Sequence, residues 1–300
     1  MIFKWLWPMV FIAAGCKRDT ALSAQPPAKV VIQDSRLKEL SGIAASIASP
    51  DVLYVHNDSG DSARFFAISP DGQLLRVCYF KGDPKLGTLG VRDCEDIAVS
   101  VGPAAGVSYV YMGDIGDNDR VRKYITIYRI KEPAVIDLGS STASASSLHL
   151  DADPLFLRYP DGPRDAETLL ADPIDKLLYV VSKREDSVSV YSTPLNFKAH
   201  DTLTLTRRAK LHFEGSGQAK WITAGDVSKD GFKVLLKSYT AVYFWQRKAG
   251  EAVWQTLMRA PAELPYEVEP QGEAIGFGRD GKGYYTTSEG LRPWLYYYAF

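Results

Sequence analysis

Arg92-Asp93-Cys94-Glu95-Asp96-Ile97-Ala98-Val99 is the stretch on which the reading of this chain turns, because versions of it recur. Arg164-Asp165-Ala166-Glu167-Thr168-Leu169-Leu170 keeps the order Arg-Asp-x-Glu before a short apolar run. Gln271-Gly272-Glu273-Ala274-Ile275-Gly276 keeps the glutamate and the run. Two looser copies are Glu39-Leu40-Ser41-Gly42-Ile43-Ala44 and Ala224-Gly225-Asp226-Val227-Ser228. Each copy is followed by a turn signal, a second apolar run, a polar loop and a third run. After Ile97 these are Gly102-Pro103, Tyr109-Val110-Tyr111-Met112, Gly113-Asp114-Ile115-Gly116-Asp117-Asn118 and Tyr124-Ile125-Thr126-Ile127-Tyr128. Short β-branched and aromatic runs divided by Gly, Pro and Asp are strand and turn signals. A unit of that kind repeated along a chain predicts an all-β fold, a β-propeller.

Five copies predict five blades, with six as the alternative if residues 138–159 hold further strands. Val30-Val31-Ile32 precedes the first copy, and the last copy has only three strands before Phe300. An N-terminal strand is therefore expected to complete the final blade and close the ring, which removes exposed sheet edges. Outer strands are expected at 74–79, 155–159, 203–213 and 254–258, and the Ser- and Ala-rich stretch 139–147 reads as an insertion.

The amino terminus is a different object. Lys4 precedes the apolar run Trp5-Leu6-Trp7-Pro8-Met9-Val10-Phe11-Ile12, which ends in Ala13-Ala14-Gly15-Cys16. A basic start, a short apolar stretch and small residues read as an export signal. Small residues directly before a cysteine resemble the bacterial lipoprotein signal, in which the cysteine is lipidated and becomes the first residue. The departure is Ala13, where that signal usually has leucine, and an ordinary signal or an uncleaved anchor is the other reading. The expected layout is a signal over 1–16 lipidated at Cys16, a flexible tether over 17–29 and a propeller over 30–300. The chain would then be exported and held to the bacterial cell envelope by its lipid, with the membrane as a partner. Cys78 and Cys94 either pair in that oxidising compartment or stay buried as small apolar thiols.

With 35 basic and 36 acidic residues the formal charge is −1, so no global field favours nucleic acid. The acidic residues are informative by position. If strand one of each blade descends, the loop between strands two and three returns to the upper face, as does the entry into the next strand one. Glu95, Glu167, Glu273 and Asp226, on innermost strands, are therefore expected to converge at the upper mouth of the axial channel. The loops around Asp58, Asp114 and Glu289 share that face. Facing carboxylates raise one another's pKa unless something compensates. A bound cation is one solution; oxygen ligands, the amides of Asn57 and Asn118 and only four histidines favour calcium over zinc. Arg92, Arg164, Lys183, Arg184 and Lys237 are the other, neutralising the ring without a metal. The loop holding Asp114, Asp117 and Asn118 lacks EF-hand spacing and reads more simply as a turn. His56 is the one histidine on this face, either a general base or a turn-stabilising side chain. No Gly-x-Ser-x-Gly elbow, phosphate loop or Cys-x-x-Cys pair is present.

The ordered set Asn57-Asp58-Ser59-Gly60-Asp61, Glu95-Asp96-Ile97, Gly113 through Asn118, Asp165-Ala166-Glu167, Gly225-Asp226-Val227 and Gly272-Glu273-Ala274-Ile275 resembles a group of exported bacterial propellers without an assigned reaction. More distantly, acidic residues around a propeller mouth are similar to phytase-like and lactonase or paraoxonase-type propellers. That second likeness is architectural and implies a calcium site, not an activity. Two functions follow as expectations. One is a tethered binding or scaffold propeller that takes a small anionic ligand or a protein. The other is a calcium-dependent hydrolase of a phosphate ester or lactone. In it Glu95, Glu167 or His56 would take a proton from water, and Arg92, Arg164 and Lys183 would hold an anionic group.

Overall fold

A computed structural model describes residues 26–134 and 147–300. Alternating apolar runs and tight turns build five sheets in chain order, each antiparallel through its four main strands. Blade 1 is β2 (Leu40–Ala45), β3 (Leu53–Asn57), β4 (Arg64–Ile68) and β5 (Leu74–Phe80); blade 2 is β6 (Cys94–Val101), β7 (Ser108–Asp114), β8 (Ile125–Lys131) and β10 (Ala152–Arg158). Blade 3 is β11 (Ala166–Asp172), β12 (Leu177–Ser182), β13 (Ser187–Pro194) and β15 (Thr206–His212). Blade 4 is β16 (Ile222–Val227), β17 (Lys233–Ser238), β18 (Val242–Gln246) and β19 (Ala262–Leu264). Blade 5 joins β20 (Ala274–Phe277), β21 (Gly283–Thr287) and β22 (Trp294–Ala299) to β1 (Ala28–Val31), so the first strand of the chain closes the ring as expected. The turns from strand one to strand two in blades 4 and 5 carry Gly231 and Gly281 at positive φ, where a side chain would be strained.

Three details differ from expectation. Strand β1 starts at Ala28, so the last two residues of the expected tether belong to blade 5. Residues 203–204 fall in β14 (Thr202–Thr204), which adds to the edge of blade 2 in parallel with β10, and only β15 closes blade 3. The stretch 254–258 is not a strand: a short helix, α1 (Val253–Leu257), caps the space outside blades 3 and 4, and β19 is the outer strand of blade 4. Gln255 Oε1 accepts the Ala252 N–H, a contact that favours the helical turn over a strand. A further strand, β9 (Ser147–Leu150), lies parallel to β5 on the edge of blade 1. The signal, Cys16 and residues 139–146 fall outside the described residues.

The core is divided rather than central. Five apolar clusters fill the five gaps between neighbouring blades, for example Tyr54, Phe65, Ile97 and Tyr128 between blades 1 and 2. Cys78 and Cys94 lie in that first cluster as free buried thiols, and burial pushes the Cys78 thiol up to about 12.

Toward the axis, inner strands of neighbouring blades approach without pairing, and two aspartates supply the missing acceptors. Asp96 on β6 accepts the N–H of Ile97 (2.9 Å) and of Leu169 on β11 (2.8 Å). Asp226 on β16 accepts the N–H of Val227 (2.8 Å) and of Phe277 on β20 (2.8 Å). Both carboxylates are buried, and burial pushes Asp226 up to about 7 against the pull of its two N–H donors. Asp226→Ala leaves two buried N–H groups without acceptors, which costs about 1–3 kcal/mol for each. The expected result is a lower urea midpoint at unchanged m-value, with Asp226→Asn, which keeps one acceptor oxygen, falling between the two.

Candidate metal centre

The residues that face the upper mouth are aimed there by a repeated irregularity. In four blades the pairing of strands one and two skips one residue near the top: Ser41, Glu95, Glu167 and Thr223. Each is a β-bulge, which bends the strand and re-aims the side chain. In blade 5 the equivalent residue is Glu273, directly before β20. A second ring comes from the exits of strand two. Asp58, Lys183 and Glu289 donate their N–H to the carbonyl two residues before the bulge position, at Glu39 (2.7 Å), Asp165 (3.0 Å) and Gln271 (3.1 Å). In blade 2 Gly116 makes that bond, to Asp93 (3.2 Å), and in blade 4 Tyr239 follows the strand directly.

The two rings meet. Lys183, buried, is hydrogen-bonded to Glu167, lies 3.9 Å from Glu273 Oε1 and donates to Tyr239 Oη at 3.2 Å. The Tyr239 hydroxyl in turn donates to Glu273. Oxygens of Asp58, Asp93 and Glu95 all lie within 4.8 Å of one another, and so do oxygens of Asp58, Glu273 and Glu289. These are the two groups among the described residues with the spacing to hold a metal ion. The site is closed below and open above: Glu95, Glu167 and Glu273 are buried, whereas Asp58, Asp93 and Glu289 are half-buried. Trp221 and Tyr239 form an aromatic wall beside Lys183, with ring centroids 5.7 and 5.3 Å from its ammonium.

The electrostatics are those of crowded anions. Burial, reinforced by Glu167, Asp58 and Asp93, holds the Glu95 carboxyl well above the usual range. Burial and the charges of Asp93 and Glu273 push Asp58 up to about 7; burial with Glu273 and Asp58 does the same to Glu289. Asp93 is raised by burial although Arg122 opposes it. Lys183 is raised despite its own burial because Glu167, Glu273 and Glu95 surround it, yet its charge leaves Glu167 well above the ordinary range.

The donor set fits a hard cation. All of it is carboxylate oxygen, and no histidine or thiol joins either group. Among the described residues the buried Oε2 of Glu167 has no partner. Gly116 completes the fit: a Cβ there would overlap Glu95 Oε1 and Asp93 Oδ2, so only glycine lets those carboxylates stand side by side.

The expected site residues fare unequally. Glu95, Glu167 and Glu273 converge as anticipated, with Lys183 among them. Asp226 does not join them. The bulge in blade 4 falls at Thr223, so Asp226 lies three residues further along its strand, on the backbone bonds described above. Arg164 is turned away, paired with Asp161 (3.0 Å) and Glu185 (2.7 Å), and the Arg92 side chain is exposed at the rim. Arg184 pairs with Asp165 and bonds Asn118, and Lys237 bonds the carbonyl of Gly272 from beneath. His56 is fully buried against Gly42, its Nδ1 donating to Asn57 O at 2.9 Å. Burial pushes its pKa down to about 4, so it is a neutral packing residue rather than a base at the mouth. Asp114 accepts the Arg92 and Asp93 N–H groups and pairs with Arg122, and Asp117 accepts Val121 and Arg122 N–H: both hold the loop. Asp58 and Glu289 come from loops expected on this face but not named among the metal residues, whereas Asp93 as a candidate ligand, and Gly116, Trp221 and Tyr239 as the setting, were not singled out. For Asp93, Gly116, Trp221 and Tyr239 the sequence signal was their place beside the repeats.

No protein-family model matches the chain, and no curated protein matches it in sequence.

The raised carboxyls set the pH response of the metal-free protein. Each binds its proton more tightly folded than unfolded, so its stabilisation is complete below the unfolded value near 4 and is lost as pH rises through the folded one. For Asp58 and Glu289 that value is about 7. His56 acts oppositely, costing stability as pH falls from about 6.5 toward about 4. Thermal midpoints in chelator should therefore fall between pH 6.5 and 8, a window that sets His56 apart, and Glu289→Gln should flatten the fall.

Proposed function

We propose that this propeller binds calcium at the mouth of its axial channel and through it a small anionic ligand, while a lipid on Cys16 tethers it to the bacterial envelope. The observation that carries the calcium reading is the pair of carboxylate triads, each with three oxygens within 4.8 Å, in a site where Lys183 is the ammonium paired directly with its carboxylates. Calcium suits all-oxygen donors in an irregular arrangement open on one side, where the ion's remaining positions accept a ligand's oxygens. Trp221, Tyr239 and the Arg184 guanidinium stacked on Trp221 (4.7 Å) line the flank from which an anion would approach. The tether rests on Lys4, the apolar run and Ala14-Gly15-Cys16. Among the described residues no helix is long and apolar enough to cross a membrane.

A second reading, hydrolysis of a phosphate ester or lactone, is favoured by one observation. Asp58 and Glu289 are half-buried at the open side with carboxyls near 7, suited to take and return a proton at neutral pH. Bound calcium would supply polarisation of the ester oxygen. Lys183 would keep Glu167 and Glu273 in place, and the aromatic wall would exclude water from one side.

Calcium should raise the thermal midpoint of chelator-treated protein, by the equivalent of about 2.7 kcal/mol at a hundredfold excess over Kd. Asp58→Asn should remove that shift and Asp226→Asn should not. Hydrolysis of a phosphate-ester and lactone panel that persists unchanged in Asp58→Asn, Glu95→Gln and Glu273→Gln would rule out the second reading. Cys16→Ser should move the chain from the membrane fraction to the soluble one.

A further inference from the structure

The two triads share Asp58 and nothing else. An ion bound at calcium–oxygen distances of about 2.3–2.6 Å cannot have ligands much more than about 5 Å apart. Asp93 and Glu95 form such a group with Asp58, and so do Glu273 and Glu289, but the five carboxylates do not form one group. A single ion therefore cannot be held by all of them. Resting on the reading of the mouth as a divalent-cation site, we propose that it binds two cations, one on Asp93 and Glu95 and one on Glu273 and Glu289, bridged by Asp58.

Charge leads to the same count. Asp58, Asp93, Glu95, Glu167, Glu273 and Glu289 crowd two buried ammoniums, Lys183 among them and Lys237 beside Glu273 on the Gly272 carbonyl. Fully ionised, the six carboxylates exceed those two ammoniums by four negative charges, of which one divalent ion offsets two and a second offsets the rest. A second observation points to an absent ligand. Glu167 is 4 % exposed, its Oε1 takes Lys183, and its Oε2 is buried without a partner. Among the side-chain charges acting on Glu95, that of Glu167 is the largest. A buried carboxylate oxygen facing other carboxylates is costly unless positive charge stands nearby. The arrangement is also built differently on its two sides. Gly116 opens the room that Asp93 and Glu95 occupy, while on the other side Tyr239 holds Glu273 and the Gln271 carbonyl holds the Glu289 backbone. The two halves can thus be emptied separately.

The test is stoichiometry. The full chain, stripped with chelator and dialysed against radioactive calcium, should bind two ions. Glu95→Gln and Gly116→Ala should each retain one, Glu289→Gln should retain the other, and Asp58→Asn should lose the tight binding of both. Circular dichroism and thermal midpoints establish that each variant folds. Gly116→Ala and Glu289→Gln, at separate loops, serve if Glu95→Gln does not. Loaded with manganese, the wild type should give an exchange-broadened paramagnetic resonance spectrum, and Glu289→Gln that of an isolated ion. One ion per chain in the wild type, or loss of both ions in Glu95→Gln and Glu289→Gln alike, would overturn the bridged pair while leaving the cation site standing. No bound ion at all would overturn that reading as well.

Discussion

Five strands meeting edge-on at an axis leave backbone donors that no neighbouring strand can reach, and buried donors without acceptors are not tolerated. The fold depends on meeting that constraint. Asp96 and Asp226 do so across two of the five gaps, reaching Leu169 and Phe277, and Ser41 bonds the Glu95 carbonyl across a third (2.7 Å). These bonds hold the inner strands at one height, which is what allows residues from different blades to meet at the top. Closure by β1 serves the same end from outside, since blade 5 would otherwise present the β22 edge to solvent.

Given level inner strands, the bulge converts a structural repeat into a site. One bulge position is Ser41, Glu95, Glu167, Thr223 and Glu273 around the ring; the position above it is Asp58, Gly116, Lys183, Tyr239 and Glu289. The backbone is nearly five-fold, but the chemistry is not. Acidic groups concentrate on blades 5, 1 and 2, whereas blades 3 and 4 supply the lysine, the tyrosine and, from the 3-10 turn before β16, Trp221. A ring of identical residues would repel at every position. The unequal ring gathers the repulsion on one side and sets the cationic and aromatic groups on the other.

The fold was largely legible in the sequence because its signals are local. Apolar runs of strand length, Asp-Gly turns and the unpaired Val30-Val31-Ile32 each bear on one blade and agree with one another. Where local signals competed, the reading slipped. Residues 254–258 carry strand-like Trp and Thr, but they form a helical turn and join no ladder. Asp226 shows the limit most clearly. Gly-Asp-Val imitates Glu-Asp-Ile, yet the register of β16 against β17 is set by the bulge at Thr223, a feature of pairing that residue types do not reveal. Arg164 failed for a related reason: the repeat placed its backbone correctly, but Asp161 and Glu185 captured its side chain. Asp93 became visible as a candidate ligand only with Gly116, because the room it needs is made by an absent side chain.

A site of this construction carries its function in its instability. Groups that hold one another's carboxyls near or above neutrality lower the stability of the empty protein at the pH where they would otherwise ionise. The ion pair of Lys183 with Glu167 cannot relieve this, because the ammonium is already committed to a carboxylate that itself remains raised. Proton uptake relieves it at low pH and cations relieve it at neutral pH, and the two compete for the same oxygens. Ionisation at the mouth is thereby coupled to the stability of the whole ring, since the raised carboxyls stand beside the bulged strands that the axial aspartates hold level. That repulsion is concentrated around Asp58, where the two groups of carboxylates join, and any positive charge brought there would relieve it.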